Sequence, residues 1–186
     1  MFAPYLITDP DFYSQEEKLF KQRLLAVLQT HRPFLACFRD KSTPSYARLA
    51  RAFLETCTQC STQALLHTHV ELAVEMGAYG VHLPTAARFD TKKARDKGLY
   101  VVVSTHDATE ALEAQKAGAH AITFSPIFDS PNKGKALGLE KLKEIIAILD
   151  IDVFALGGIV TQKQVRLCQE AGAAGFASIR YFCNPD

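Results

Sequence analysis

Three stretches of the chain carry the same punctuation: MGAYGVHL at 76–83, AGAHAITF at 117–124 and AGAAGFAS at 171–178. In each, a helical pattern runs into a Gly-Ala pair and an apolar run begins almost at once. Glycine is the residue best suited to end a helix, because it enters the left-handed conformation without a Cβ penalty. A short apolar run directly after such a cap reads as a strand. The repetition therefore predicts one strand–helix unit used several times over.

Working outward, eight strand-like runs appear at fairly even spacing: 2–8, 33–38, 63–66, 80–83, 99–104, 121–124, 152–156 and 174–178. Several are almost continuously apolar, as expected of strands buried on both faces in a parallel sheet. Amphipathic patterns separate most of them. Leu19, Leu24, Leu25 and Leu28 share one helical face, Tyr46, Leu49, Ala50, Phe53 and Leu54 another, and later patterns run through 107–117, 138–149 and 161–171. Eight strands alternating with helices predict an α/β fold, a compact TIM (β/α)8 barrel formed by one domain over residues 1–186. Only IRYFCNPD follows the last strand, so the C-terminal helix is expected to be short or missing. An open flavodoxin-like sheet is the alternative.

The chain holds 21 basic and 20 acidic residues, a net charge of +1. No global field draws in nucleic acid or an anionic membrane, so any anion site must be local. No run is long enough for a membrane span, and a cytoplasmic protein is expected. The five cysteines, Cys37, Cys57, Cys60, Cys168 and Cys183, form no disulfide framework and read as reduced thiols. Cys57 and Cys60 make one C-x-x-C near the end of a helical pattern, with no second pair to complete a zinc site.

Active sites of such barrels lie at the C-terminal ends of the strands, so the loops after each strand carry the chemistry. Thr8 and Asp9 follow the first strand. Arg39 and Lys41, with Ser42 and Thr43, follow the second, just before a helix whose first turn is expected to hold Pro44. Two cations beside a helix start suit a phosphate or diphosphate. His67 and His69 follow the third strand and His82 lies in the fourth, so two imidazoles are expected at the mouth as general acid/base candidates. No carboxylate shares their register, and no metal ligand is assigned. Ser104 and His106 follow the fifth strand. Gly157 and Gly158 follow the seventh, and Ile179 and Arg180 the eighth, where backbone N–H groups commonly hold a phosphate. Thr161 is placed to cap the next helix.

YLITD (5–9), FRDKS (38–42), GVHL (80–83), STHDATEA (104–111), TFSPIFDSPNKG (123–134), ALGGI (155–159) and AGAAGFAS (171–178) together resemble the thiamine phosphate synthase/TenI superfamily, in the expected order over nearly the whole chain. The resemblance implies a TIM barrel for small phosphorylated thiazole and pyrimidine ligands. In the synthase branch it implies joining hydroxymethylpyrimidine diphosphate to thiazole phosphate with Mg²⁺. Carried over residue by residue, Arg39 and Lys41 match the diphosphate grip, Ser104 a serine beside the reacting groups, and Lys133 the lysine that neutralises the leaving diphosphate. Ser125, Pro126 and Ile127 belong to the loop over the site, and Gly157, Gly158, Ile179 and Arg180 to the thiazole phosphate cradle.

Two departures stand out. Thr68 and Tyr79 stand where the resemblance implies aspartates serving the metal. The histidine that TenI-like tautomerases place after strand six is replaced by Ser125, leaving His67 or His82 to substitute. Three readings follow: a TenI-like protein that binds thiazole phosphate or thiamine phosphate and tautomerises a thiazole without a metal; a thiamine phosphate synthase, for which alone Mg²⁺ is implied; and a non-catalytic phosphometabolite-binding barrel. An uncovered barrel flank after strand eight favours a homodimer.

Overall fold

The computed structural model describes residues 2–130 and 134–183. Eight parallel strands pair in sequence order and close on themselves: β1 (Ala3–Ile7), β2 (Leu35–Phe38), β3 (Gln63–His67), β4 (Gly80–Leu83), β5 (Tyr100–Thr105), β6 (Ala121–Phe124), β7 (Asp152–Leu156) and β8 (Gly175–Ser178). Closure rests on the β1–β8 ladder, in which Ala3 pairs with Gly175 and Leu6 with Ser178. The TIM barrel is therefore the fold, and the flavodoxin-like alternative falls.

Around the barrel lie α1 (Pro10–Tyr13), α2 (Glu17–His31), α3 (Tyr46–Gln59), α4 (Val70–Glu75), α5 (Thr91–Asp96), α6 (Ala108–Lys116), α7 (Gly138–Ala147) and α8 (Gln162–Glu170). After β8 the described chain makes one 3-10 turn, Arg180–Phe182, in place of a longer helix. Its Phe182 packs against Phe176 (ring centroids 5.7 Å) and His31 (5.4 Å), so the turn still seals the flank beside β1 and β8. No helix among the described residues is long and apolar enough to cross a membrane.

The repeated Gly-Ala punctuation folds identically each time. Gly77, Gly118 and Gly172 all adopt positive φ. The following alanines, Ala78, Ala119 and Ala173, donate back to Ala73, Ala114 and Cys168, the longer bond of a Schellman cap. One residue later, the N–H of Tyr79, His120 or Ala174 already bonds to the preceding strand. A fourth copy at Gly98-Leu99-Tyr100 does the same, and the sequence pattern conceals it because leucine replaces alanine. Its helix α5, with the 3-10 turn Thr85–Asp90 before it, escapes a periodicity search because it has only six residues. The four-residue α1 escapes for the same reason, and α3 begins at Tyr46 rather than around Pro44.

Alternation along each strand sorts two apolar layers. Tyr5, Ile7, Leu35, Cys37, Leu65, Val102, Ala121, Phe154 and Ala177 fill the barrel interior. Leu6, Phe38, Leu66, Val81, Val103, Ile122, Phe124 and Phe176 face outward and pack with the helices. Burial on both faces is why the strands read as continuous apolar runs. The interior is tight at Gly80, where a Cβ would sit 2.0 Å from the Tyr100 carbonyl oxygen. Gly80→Ala is expected to cost at least about 2 kcal/mol, the upper part of the range for overpacking. Gly134→Ala, which would meet nothing within 4 Å, should change stability by no more than about 0.5 kcal/mol. Urea denaturation of the two variants checks the contrast.

Candidate active site at the barrel mouth

Above the apolar layer the inward positions turn polar. His67, His82, Ser104 and Ser125 line a cavity of about 660 Å³ at the C-terminal ends of the strands. Arg39, Lys41, Gly157, Gly158, Ile179 and Arg180 line the same cavity, so these ten residues singled out in the sequence converge there. Pro126 and Ile127 do not. Ile127 is 1% exposed, its N–H bonds to the Leu156 carbonyl, and the Pro126 and Ile127 carbonyls accept from Leu137 and Gly138 at the start of α7. They scaffold the loop rather than face a ligand. Lys133 lies outside the described residues.

The glycine pair after β7 has a packing reason as well as a ligand-facing one. Gly157 and Gly158 adopt φ of 97° and 69°. A Cβ on Gly157 would come within 2.7 Å of Pro126, and one on Gly158 within 2.5 Å of the Asp129 carbonyl oxygen. The loop after β6 therefore rests directly on the glycines, tied by the Phe128 N–H to the Gly157 carbonyl. Gln164 holds the pair from behind, donating from Nε2 to the Gly158 carbonyl at 2.8 Å. Thr161 and Gln164 form the capping box of α8, as the sequence suggests for Thr161.

The opposite rim carries charge. Arg39 donates to Asp9 Oδ2 at 3.1 Å, and its backbone N–H is held by the Thr8 hydroxyl. Asp40 is not among the residues that line the cavity. It accepts from the Ser42 and Thr43 backbone N–H groups and from Gln15, which fixes the turn that presents Arg39 and Lys41. Although its partial burial acts to raise it, those hydrogen bonds hold its pKa below the ordinary carboxylate value. Asp11 and Phe12 of α1 also line the mouth. The sequence signal for them is Asp9-Pro10, an N-cap followed by proline at the first helical position.

His82 is 3% exposed and bonded on both ring nitrogens, to the Tyr5 hydroxyl at 2.8 Å and to Ser104 Oγ at 2.9 Å. His67 is half-buried, its Nδ1 2.8 Å from the Thr68 hydroxyl and its ring 6.0 Å from that of His82. His69 does not join them. It precedes α4 and packs on Tyr46 at 4.2 Å, so only two of the three clustered histidines face the mouth. Burial pushes the His67 pKa down to about 4, with Arg39, Lys41 and His69 adding to the effect. Burial, then His67 and Arg39, pushes His82 down to about 3. Both imidazoles are neutral at physiological pH.

The expectation that Tyr79 replaces a metal ligand fails on geometry. Tyr79 immediately precedes β4, at the opposite end of the barrel, where it stacks on Tyr100 (5.2 Å). Only Thr68 lies at the mouth end of its strand. Among the described residues no three His, Cys, Asp or Glu side chains converge as a metal site. Asp9 is committed to Arg39 and to the Asp11 N–H. Asp9 and Asp11 are the carboxylates that line the cavity, and Mg²⁺ bound with substrate phosphates would have to draw on them. Of the C-x-x-C thiols, Cys57 is buried, and burial raises its pKa, whereas Cys60 is half-buried.

The family model described as thiamine monophosphate synthase matches residues 4–182. A protein of Aquifex aeolicus, provisionally named thiamine-phosphate synthase 2, is 31% identical over 186 residues, covering 96% of each chain. A thiamine-phosphate synthase of Caldivirga maquilingensis is 30% identical over 94% of this chain and 85% of its own. The thiamine phosphate pyrophosphorylase of Pyrococcus furiosus superposes with a TM-score of 0.82 over 96% of this chain and 85% of its own, at 24% identity, a likeness of fold.

The lowered imidazoles couple folding to pH. Their folded pKa values lie below the unfolded value of about 6.5, so below that pH the unfolded chain binds more protons. Stability should be level above about pH 6.5 and fall by on the order of 2 kcal/mol per imidazole by pH 5. Urea midpoints between pH 7.5 and 5 check this: the wild type should slope, and His67→Gln should lose part of the slope. A level wild-type profile would contradict the assignment.

Proposed function

The chain belongs to the thiamine monophosphate synthase family, and from that membership we propose that its mouth binds a phosphorylated thiazole and moves a proton on it without a metal. The observation that carries the reading is His67, an imidazole lining the cavity and kept neutral by burial first and then by the nearby cations Arg39 and Lys41. A neutral imidazole is a base, and nearby cations suit an anionic substrate. In a thiazole tautomerisation His67 takes a proton from one ring-adjacent carbon and returns it at another position, so nothing is consumed. Thr68 orients the ring through Nδ1. The phosphate sits against Gly157, Gly158, Ile179 and Arg180, and Ser104 and Ser125 face the heterocycle from β5 and β6. His82, enclosed between Tyr5 and Ser104, supports the site from below.

A second reading, the synthase itself, draws on Arg39 and Lys41 as a diphosphate grip and on the names of the relatives. It requires Mg²⁺, and of the carboxylates at the mouth Asp9 is already paired with Arg39. One assay decides between them. The protein is incubated with thiazole carboxylate phosphate in EDTA, and separately with thiazole phosphate and hydroxymethylpyrimidine diphosphate, with and without Mg²⁺. Tautomerisation in EDTA, reduced about 10²–10⁴-fold in kcat/KM by His67→Gln, is the expected result. Mg²⁺-dependent formation of thiamine phosphate without any tautomerisation would replace this reading with the synthase. Turnover of neither would leave a non-catalytic binding barrel.

A further inference from the structure

Beneath the mouth runs a chain of polar groups that the proposed chemistry does not use directly. Cys37 and Tyr5 share the barrel interior, Tyr5 Oη is 2.8 Å from His82 Nδ1, and His82 Nε2 is 2.9 Å from Ser104 Oγ. Tyr5, Cys37 and His82 are buried, whereas Ser104 is only partly buried and lines the cavity. The chain has two possible directions, because a neutral imidazole donates from one nitrogen and accepts at the other.

In one direction, Ser104 donates to Nε2 and Nδ1–H donates to Tyr5, which leaves the buried phenol, the strongest neutral donor present, without a hydrogen-bonded acceptor for its own proton. In the other direction, Tyr5 donates to Nδ1 and Nε2–H donates to Ser104, so the strong donor meets the strong acceptor. Buried polar groups favour the arrangement that leaves none unmatched. Thr123 Oγ1 is a longer contact of Nε2, at 3.5 Å, and does not set the direction.

We propose that Tyr5 is a positioning residue whose hydroxyl fixes His82 in the Nε2–H tautomer, so that Ser104 accepts from His82 and turns its own O–H into the mouth as a donor. Two consequences follow. His82 cannot act as a base on Ser104, which rules out an activated serine nucleophile at this position. The ligand atom that Ser104 meets is a hydrogen-bond acceptor, such as a carboxylate or phosphoryl oxygen or a heterocyclic nitrogen. The assignment concerns the free protein and stands or falls independently of which thiazole is bound.

The test is the imidazole ¹⁵N spectrum of the uniformly labelled protein, with the His82 signals assigned by their loss in His82→Gln or by elimination over the other five histidine variants. The expected result is an Nε2–H, Nδ1-unprotonated pattern for His82 in the wild type. It should persist in Ser104→Ala, because Tyr5 sets it, and give way to a mixture of tautomers in Tyr5→Phe. An Nδ1–H pattern for His82 in the wild type overturns the proposal, and where His82→Gln fails to fold, elimination over the other five histidine variants still supplies the assignment. A switch to Nδ1–H in Ser104→Ala also overturns it, since Ser104 rather than Tyr5 would then set the direction.

Discussion

Everything at the mouth depends on the ladder that joins β1 to β8. Once Ala3 pairs with Gly175 and Leu6 with Ser178, the sheet has no edge, and every strand must alternate strictly between an inward and an outward side chain. That constraint makes Tyr5, from the first strand, and His82, from the fourth, neighbours across the barrel at 2.8 Å despite a sequence separation of 77. It also places the last inward residue of several strands, among them His67, Ser104 and Leu156, on one polar-rimmed cavity. Loosening the ladder would separate the site into unrelated loops.

The two rims of the cavity are built differently. On the β2 side, a carboxylate that does not line the cavity, Asp40, is used up in fixing a turn so that Arg39 and Lys41 are presented with little freedom. On the β6–β7 side, backbone rests on backbone, and glycine is demanded by the approach of the loop after β6 before any ligand is considered. Between the rims the imidazoles are kept uncharged by burial and by the cations above them. The cavity thus has cations on one rim, backbone on the other and neutral rings between them.

Much of this was legible in the sequence, for identifiable reasons. Gly77, Gly118 and Gly172 announce the repeating unit because a left-handed helix end favours glycine. The strands show themselves because both faces are buried. The ten converging residues are found by reading the positions after each strand, which the barrel brings together. What escapes lacks a local signal. α1 and α5 are shorter than two helical turns and leave no period to detect. Tyr79 looks like a site position because it adjoins GVHL, yet one strand length separates the two ends of a barrel, and it falls on the wrong one. His69 alternates with His67 in the sequence, but the strand has already ended. Pro126 and Ile127 sit within a motif whose conformation they support without touching the cavity. Tyr5 reads as ordinary strand interior until the register with β4 is known.

The central claim is that this mouth holds a phosphorylated thiazole through its own cations and backbone, with no metal. Calorimetric titration of thiazole carboxylate phosphate into the protein, in EDTA and again in excess Mg²⁺, measures this most directly. The account predicts saturable one-site binding with the same affinity in both buffers, weakened by Arg180→Ala. Binding that appears only with Mg²⁺, or no binding in either buffer, would contradict it.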